Sequence, residues 1–148
     1  MPSKNQPASS PVSINTLVVE FAVLDWRKTL EFYTDLLGFV PLYDRPDEGF
    51  VFLKLGDAQI MIYQANLERN LVTDNAPLQP PLGRGVNLQI QVASIRTLVN
   101  ALTQAQIPLV LEPEERQYRV RDEHIFVRQF AVADPDGYLL RFSERIGS

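Results

Sequence analysis

Three amide side chains form the most regular polar pattern in the sequence. Asn87, Gln89 and Gln91 alternate with apolar residues along 86–92. In a β-strand this spacing places all three amides on one face, where they can donate and accept hydrogen bonds. Such a face either meets solvent or forms the wall of a ligand cavity. We favour the cavity wall because of the internal repeat described below.

Two charged residues lie in apolar segments and would need partners if they were buried. Glu20 interrupts LVVEFAVL at 17–24, and Arg141 lies in the strand candidate 138–143. A buried charge is stable only when it is paired or contacts a ligand. We therefore expect Glu20 to pair with Arg141 across the sheet, to contact an amine or other cation, or to do both.

Aromatic side chains in the strand candidates could stack on a planar ligand, although aromatic residues in strands more often belong to the core. The two that we include in the candidate site are Phe52 and Tyr63. The single histidine, His124, follows Asp122 and Glu123 and is expected at the surface. The sequence contains no phosphate loop and no catalytic triad pattern, and we assign no catalytic residue.

The elements that must position these residues repeat along the chain. The order β-α-β-β-β is predicted twice, with helices that begin after Asp25 and after Ser94. The strand candidates are 17–24, 39–43, 50–55 and 58–64 in the first half, and 86–92, 108–111, 124–133 and 138–143 in the second. Residues 112–123, which mix arginines with acidic residues, are interpreted as a solvated loop.

This repeat predicts an α+β fold of two tandem βαβββ modules, whose curved mixed sheets surround a cavity. We expect a flexible N-terminal tail at 1–14 and a single domain at 15–145. Within the domain, module one spans about 15–65, a linker about 66–84, and module two about 85–145.

Composition excludes several classes of function. There is no cysteine, which excludes disulfides and thiolate chemistry, and the net charge of −4 disfavours nucleic-acid binding. No apolar run has the length needed to cross a membrane, and the N-terminus has no hydrophobic signal segment. We therefore expect a cytoplasmic protein. The mild acidity is compatible with a cationic small ligand.

Two motifs resemble a known family. Residues 25–39, DWRKTLEFYTDLLGF, and residues 134–140, DPDGYLL, resemble segments of the two modules of the vicinal oxygen chelate superfamily, which includes glyoxalases, bleomycin-resistance proteins and ring-cleaving dioxygenases. Together with the repeat, the resemblance extends over nearly the whole of 17–143. It implies the fold predicted above and a homodimer, because the superfamily pairs modules between chains.

The resemblance also implies where a divalent metal would bind. The family's four ligand positions correspond to Val18, Tyr63, Asn87 and Arg141. Valine cannot coordinate a metal, and arginine is cationic, so this set predicts that no metal or other cofactor is bound. The protein is then most similar to metal-free bleomycin-resistance-like proteins. They bind a drug without changing it.

The resulting functional hypothesis is metal-independent binding of a small cationic or aromatic molecule, such as an antibiotic that is sequestered. The alternative is a lyase, isomerase or ring-cleaving dioxygenase with a non-standard metal site. The candidate ligand-binding residues are Glu20, Phe52, Tyr63, Asn87, Gln89, Gln91 and Arg141.

Overall fold

The computed structural model describes residues 12–65 and 78–147 of the 148-residue chain. Most of the predicted tail and residues 66–77 of the predicted linker lie outside the described residues. The regular elements are β1 (Val19–Val23), α1 (Trp26–Glu31), β2 (Val40–Arg45), β3 (Phe50–Leu55), β4 (Ala58–Gln64), β5 (Asn87–Gln91), α2 (Arg96–Gln104), β6 (Leu111–Val120), β7 (Glu123–Ala133) and β8 (Leu139–Gly147). A π-helical turn at Phe32–Leu36 continues α1.

The strands form two four-stranded sheets with the same topology. Sheet A has the order β1-β4-β3-β2, and sheet B has the order β5-β8-β7-β6. In each sheet the first strand lies parallel to the last, and the other pairs are antiparallel. The βαβββ repeat and the α+β class predicted from the sequence are therefore confirmed.

The first helix begins and ends where the sequence predicts. The Asp25 carboxylate accepts a hydrogen bond from the backbone N–H of Lys28 at 3.2 Å, as an N-cap residue does. Gly38 has φ +78, the left-handed conformation that favours glycine at the end of a helix. In α2, the Ser94 hydroxyl accepts a weaker bond from the N–H of Arg96 at 3.3 Å.

Both sheets use their helix-covered faces to build one common core. Phe21 and Ile62 of sheet A and Phe130 and Phe142 of sheet B belong to a single cluster of buried apolar residues, together with Leu102 of α2. Because side chains alternate along a strand, the residues between them point to the opposite face of each sheet. Those opposite faces, which are not covered by the helices, hold the predicted site residues.

A buried hydrogen bond links the two modules within this core. The Tyr33 hydroxyl of module one donates to the Asp134 carboxylate of module two at 2.9 Å. Nearby, the Tyr138 hydroxyl donates to the carbonyl oxygen of Ala22 at 2.9 Å, and its ring stacks on Phe21 with centroids 4.2 Å apart. The DPDG turn therefore fixes one module against the other.

The interpretation of 112–123 as a loop was wrong. These residues continue β6, which forms a hairpin with β7 through a two-residue turn at Arg121 and Asp122. The strand is largely exposed, so its charged residues are solvated as expected. The many charged residues of β6 led to its interpretation as a loop. The strand is stabilised by backbone hydrogen bonds to β7 rather than by burial of its side chains.

In the described part of the chain, no helix is long and apolar enough to span a membrane.

Candidate functional site

The uncovered face of sheet B lines a partly open cavity of about 350 Å³, and we call this part of the sheet the polar face. This volume is within the range of small-molecule sites. Its polar lining consists of Gln89, Gln91, Gln129, Arg141, Ser143 and Arg145. Its apolar lining consists of Tyr118, Ile125 and Val127. All three predicted amides of β5 are exposed; Gln89 and Gln91 line this cavity, whereas Asn87 lies outside its lining, beside Leu139 at the start of the strand.

Strand pairing explains why these side chains meet. Gln89 lies beside Arg141, and Gln91 lies beside Ser143, because β5 runs parallel to β8. On the other side of β8, Ser143 is paired with Gln129 of β7. Paired residues share a face, so the amide row and the guanidinium of Arg141 project into the same space.

Gln129 organises the middle of the polar face. It is buried, and its side-chain nitrogen donates to Glu114 at 3.0 Å and to the Tyr118 hydroxyl at 2.8 Å. Glu114 also lies 3.5 Å from the Nε of Arg116. The carboxylate of Glu114 therefore interacts with Gln129 and Arg116 on the β6 side of the sheet, and not with Arg141.

The predicted ion pair between Glu20 and Arg141 is not formed, and this expectation was wrong for the described chain. Neither residue takes part in an ion pair within the described residues. Glu20 lies on β1 of sheet A and is exposed, whereas Arg141 lies on β8 of sheet B. Because both sheets face the common core, the two side chains point away from it on separate sheets.

The remaining predicted residues lie on the uncovered face of sheet A, which we call the aromatic face. Phe50 is paired with Tyr63, and Phe52 is paired with Tyr43. The Tyr43 ring lies 5.3 Å from that of Phe52 and 5.7 Å from that of Phe50. Phe52 is fully buried, and Tyr63 is half-buried. Glu20 belongs to the same face through its pairing with Met61.

Other titratable residues lie away from the polar face. His124 is exposed near the tip of the β6–β7 hairpin, as expected. Asp134 and Asp136 are buried in the DPDG turn, where Gly137 has the predicted positive φ, +97. Burial raises the pKa of Asp134 to about 6, although three hydrogen bonds, led by that of Tyr33, favour its ionised form. These carboxylates stabilise the contact between modules.

Comparison with known proteins agrees with this architecture. Residues 14–142 match the family model described as the Glyoxalase/Bleomycin resistance protein/Dioxygenase superfamily. The chain belongs to this superfamily. A superfamily member from Vibrio splendidus 12B01 is 33% identical, with 86% of this chain and 95% of that chain covered and a TM-score of 0.40. No curated protein matches the chain in sequence.

Two more distant structures are similar to the superfamily fold of this chain. A virulence protein from Salmonella typhimurium is 23% identical, with 91% of this chain and 100% of that chain covered and a TM-score of 0.62. A lactoylglutathione lyase from Agrobacterium tumefaciens is 16% identical, with 91% and 95% covered and a TM-score of 0.56. At these identities the similarity establishes the fold alone.

The superfamily's metal positions hold residues that do not fit a divalent ion. Val18 directly precedes β1 and Tyr63 lies on β4 of sheet A, whereas Asn87 and Arg141 lie on β5 and β8 of sheet B. One of the four has no donor atom and another is a cation, so the set lacks the carboxylates and imidazoles that hold such ions. Among the described residues, no group of three or more His, Cys, Asp or Glu side chains could hold a metal.

Sequence reasoning missed several members of the polar face. Gln129 of β7 and Ser143 and Arg145 of β8 line the cavity but were not selected, and Arg145 lies beyond the predicted strand 138–143. Tyr118 was missed because its segment was taken as a loop. The register of the strands could have identified Ser143. Once β5 is placed parallel to β8, Gln89 and Gln91 of β5 must lie beside Arg141 and Ser143.

Proposed function

We propose that this superfamily member binds a small molecule at the polar face without a metal and without changing it chemically, in the manner of a protein that sequesters an antibiotic. The observation that carries the proposal is the cavity of about 350 Å³. Its lining combines amides, arginines and an apolar strip, so it offers a ligand both hydrogen-bonding groups and apolar surface.

The donor chemistry supports binding rather than metal-assisted catalysis. The four family positions are occupied by Val18, Tyr63, Asn87 and Arg141, which together cannot supply the ligands of a reactive metal centre. Among the described residues that line the polar face, the ionisable side chains are Arg141, Arg145 and Tyr118, and none is a histidine or carboxylate that could serve as a general base. A lyase, isomerase or dioxygenase would need such groups.

We also propose that the protein is a homodimer. Both sheets have edge strands, and the outer strand of sheet B has exposed apolar residues at Tyr118 and Val120. Edge strands of this kind are usually paired or covered.

A thermal-shift screen tests the proposed function. Purified protein is heated with aromatic compounds, antibiotics and divalent metals in turn, because a ligand of the folded state raises the unfolding temperature. We expect a shift with at least one organic compound that persists in excess chelator, and we expect mass spectrometry to recover that compound unchanged. A compound that is converted only when a divalent metal is present would instead support the enzymatic alternative.

Two matched variants test whether the ligand binds at the polar face. Gln91→Ala removes an amide from the cavity lining, whereas Gln104→Ala removes an exposed amide at the end of α2. We expect only Gln91→Ala to reduce the ligand-induced shift. Equal effects of the two substitutions would contradict the assignment of the site.

A further inference from the structure

We infer that the polar face selects small organic acids, with the acidic group of the ligand held by Arg141. The inference rests on the proposed function, because it specifies the class of ligand that this cavity takes. It differs from the expectation of a cationic ligand, which was based on net charge and on Glu20.

The lining of the cavity is positively charged. Within residues 12–65 and 78–147, the lining includes two arginines, Arg141 and Arg145, and no aspartate or glutamate. The nearby carboxylate of Glu114 is held by Gln129 and Arg116. A cavity with fixed positive groups and no acidic lining residue attracts anions and repels amines.

Arg141 has a hydrogen-bond donor without a partner among the described residues. This donor is its Nε atom, which is buried. A buried N–H without an acceptor is unfavourable, and such groups in native proteins usually have a functional reason. A carboxylate fits this donor, because the guanidinium fork can bind both of its oxygens in one plane.

Two neutral polar side chains lie beside Arg141 on the same face. Gln89 is the direct strand neighbour of Arg141, and Ser143 lies two residues further on the same face. An amide N–H and a hydroxyl are therefore available to share an acidic group with the guanidinium. Both donors are neutral, so they can form hydrogen bonds with the acidic group of the ligand while Arg141 alone supplies the positive charge beside it.

The shape of the lining indicates what the rest of the ligand contains. Arg145 lies four residues beyond Arg141 on β8, which corresponds to about 13 Å along a strand. Val127 is paired with Arg145, and Ile125 is paired with Tyr118 further along the same direction. The lining therefore changes from charged at Arg141 to apolar at Ile125 and Tyr118, toward the β6–β7 hairpin. An acid with an aromatic or aliphatic body fits this arrangement, with its acidic group at Arg141 and its apolar part on those residues.

A pair of nearly isosteric probes tests this selectivity. Benzoate and benzamidine have the same ring and similar size, but the first is an anion and the second a cation. Each is titrated into the full-length protein, and binding is followed by chemical-shift changes of the backbone amides and of the Arg141 Nε–H signal. We expect benzoate to bind at least tenfold more tightly than benzamidine and to shift the resonances of β5 and β8.

Two charge-matched variants distinguish the site from general electrostatics. Arg141→Gln removes the proposed anchor, whereas Arg119→Gln removes the same charge from an exposed position on β6 next to Tyr118 in sequence, on the opposite face of the strand. We expect benzoate affinity to fall at least tenfold in Arg141→Gln and to change less than twofold in Arg119→Gln.

Each contrary result overturns a defined part of the account. Preferential binding of benzamidine to the same resonances would overturn the anion assignment and leave the proposed small-molecule site intact. Equal losses in the two variants would show that Arg141 is not the anchor. Absence of binding by both probes would overturn the inference as well, and the broader compound screen would then decide the proposed function separately.

Discussion

Replacing Asp134 with asparagine should change how the stability of the protein depends on pH. Desolvation raises the pKa of the buried Asp134 carboxyl from 3.8 to about 6 in the folded protein. The folded state therefore binds a proton more tightly than the unfolded state does. As a result, this group stabilises the fold at low pH, and the contribution is lost as pH rises through about 6.

The size of the effect follows from the pKa difference. One pKa unit corresponds to about 1.4 kcal/mol, so between pH 4 and pH 7 the wild type loses about 2 to 3 kcal/mol of unfolding free energy through Asp134. The asparagine introduced by D134N cannot ionise, but its carbonyl oxygen can still accept from the N–H groups of Asp136 and Tyr138, which now lie 2.9 and 3.0 Å from the carboxylate. The unfolding free energy of D134N relative to wild type should rise by this amount over the same range.

Urea unfolding at several pH values, followed by the fluorescence of Trp26, measures this difference directly. Asp57→Asn, at an exposed turn, is the control for loss of a carboxylate and should give a curve parallel to that of the wild type. Tyr33→Phe removes the hydroxyl that stabilises the ionised carboxylate, so its destabilisation should be larger at pH 7 than at pH 4. Parallel curves for wild type and D134N would refute the reasoning.

Three further outcomes are expected. Gly137→Ala should destabilise the fold by about 2 kcal/mol or more, because φ is +97 and a Cβ would lie 2.5 Å from the Cα of Pro81. The control is Gly56→Ala, since Gly56 also has a positive φ but has open space around it. Thermal unfolding of the two variants checks this, and equal losses of stability would contradict it. Arg141→Gln should change the unfolding free energy by less than about 1 kcal/mol, because no partner carboxylate among the described residues is left unpaired; a loss of several kcal/mol in denaturant unfolding would contradict this. Sedimentation equilibrium should give the mass of a dimer, and a monomer at all concentrations would refute the proposed assembly.

The architecture was accessible from the sequence because local patterns and the repeat agreed. The cap at Asp25 and the glycine at Gly38 marked the first helix, and the DPDG motif marked the last turn. These signals depend only on neighbouring residues in the sequence, so they can be recognised without knowledge of the tertiary structure. The β6–β7 hairpin was missed because its strand has no buried face, and alternation of apolar residues is the main signal of a strand.

The site was accessible only in part, because it depends on how the modules pack. Alternation along β5 correctly placed Gln89 and Gln91 on one face, and that face lines the cavity. Nothing in the strand pattern reveals that both sheets turn their other faces to a common core, which separates Glu20 from Arg141. The role of Asp134 was also missed, because its partner Tyr33 lies 101 residues away in sequence.

Elemental analysis of protein expressed in rich medium and purified without chelator tests the central claim most directly. The claim is that this superfamily member works without a metal, because its family positions hold Val18, Tyr63, Asn87 and Arg141. The account predicts less than roughly a tenth of an equivalent of any divalent transition metal per chain, as expected where no strong ligand set exists. One equivalent of zinc, nickel, manganese or iron that survives dialysis would contradict it.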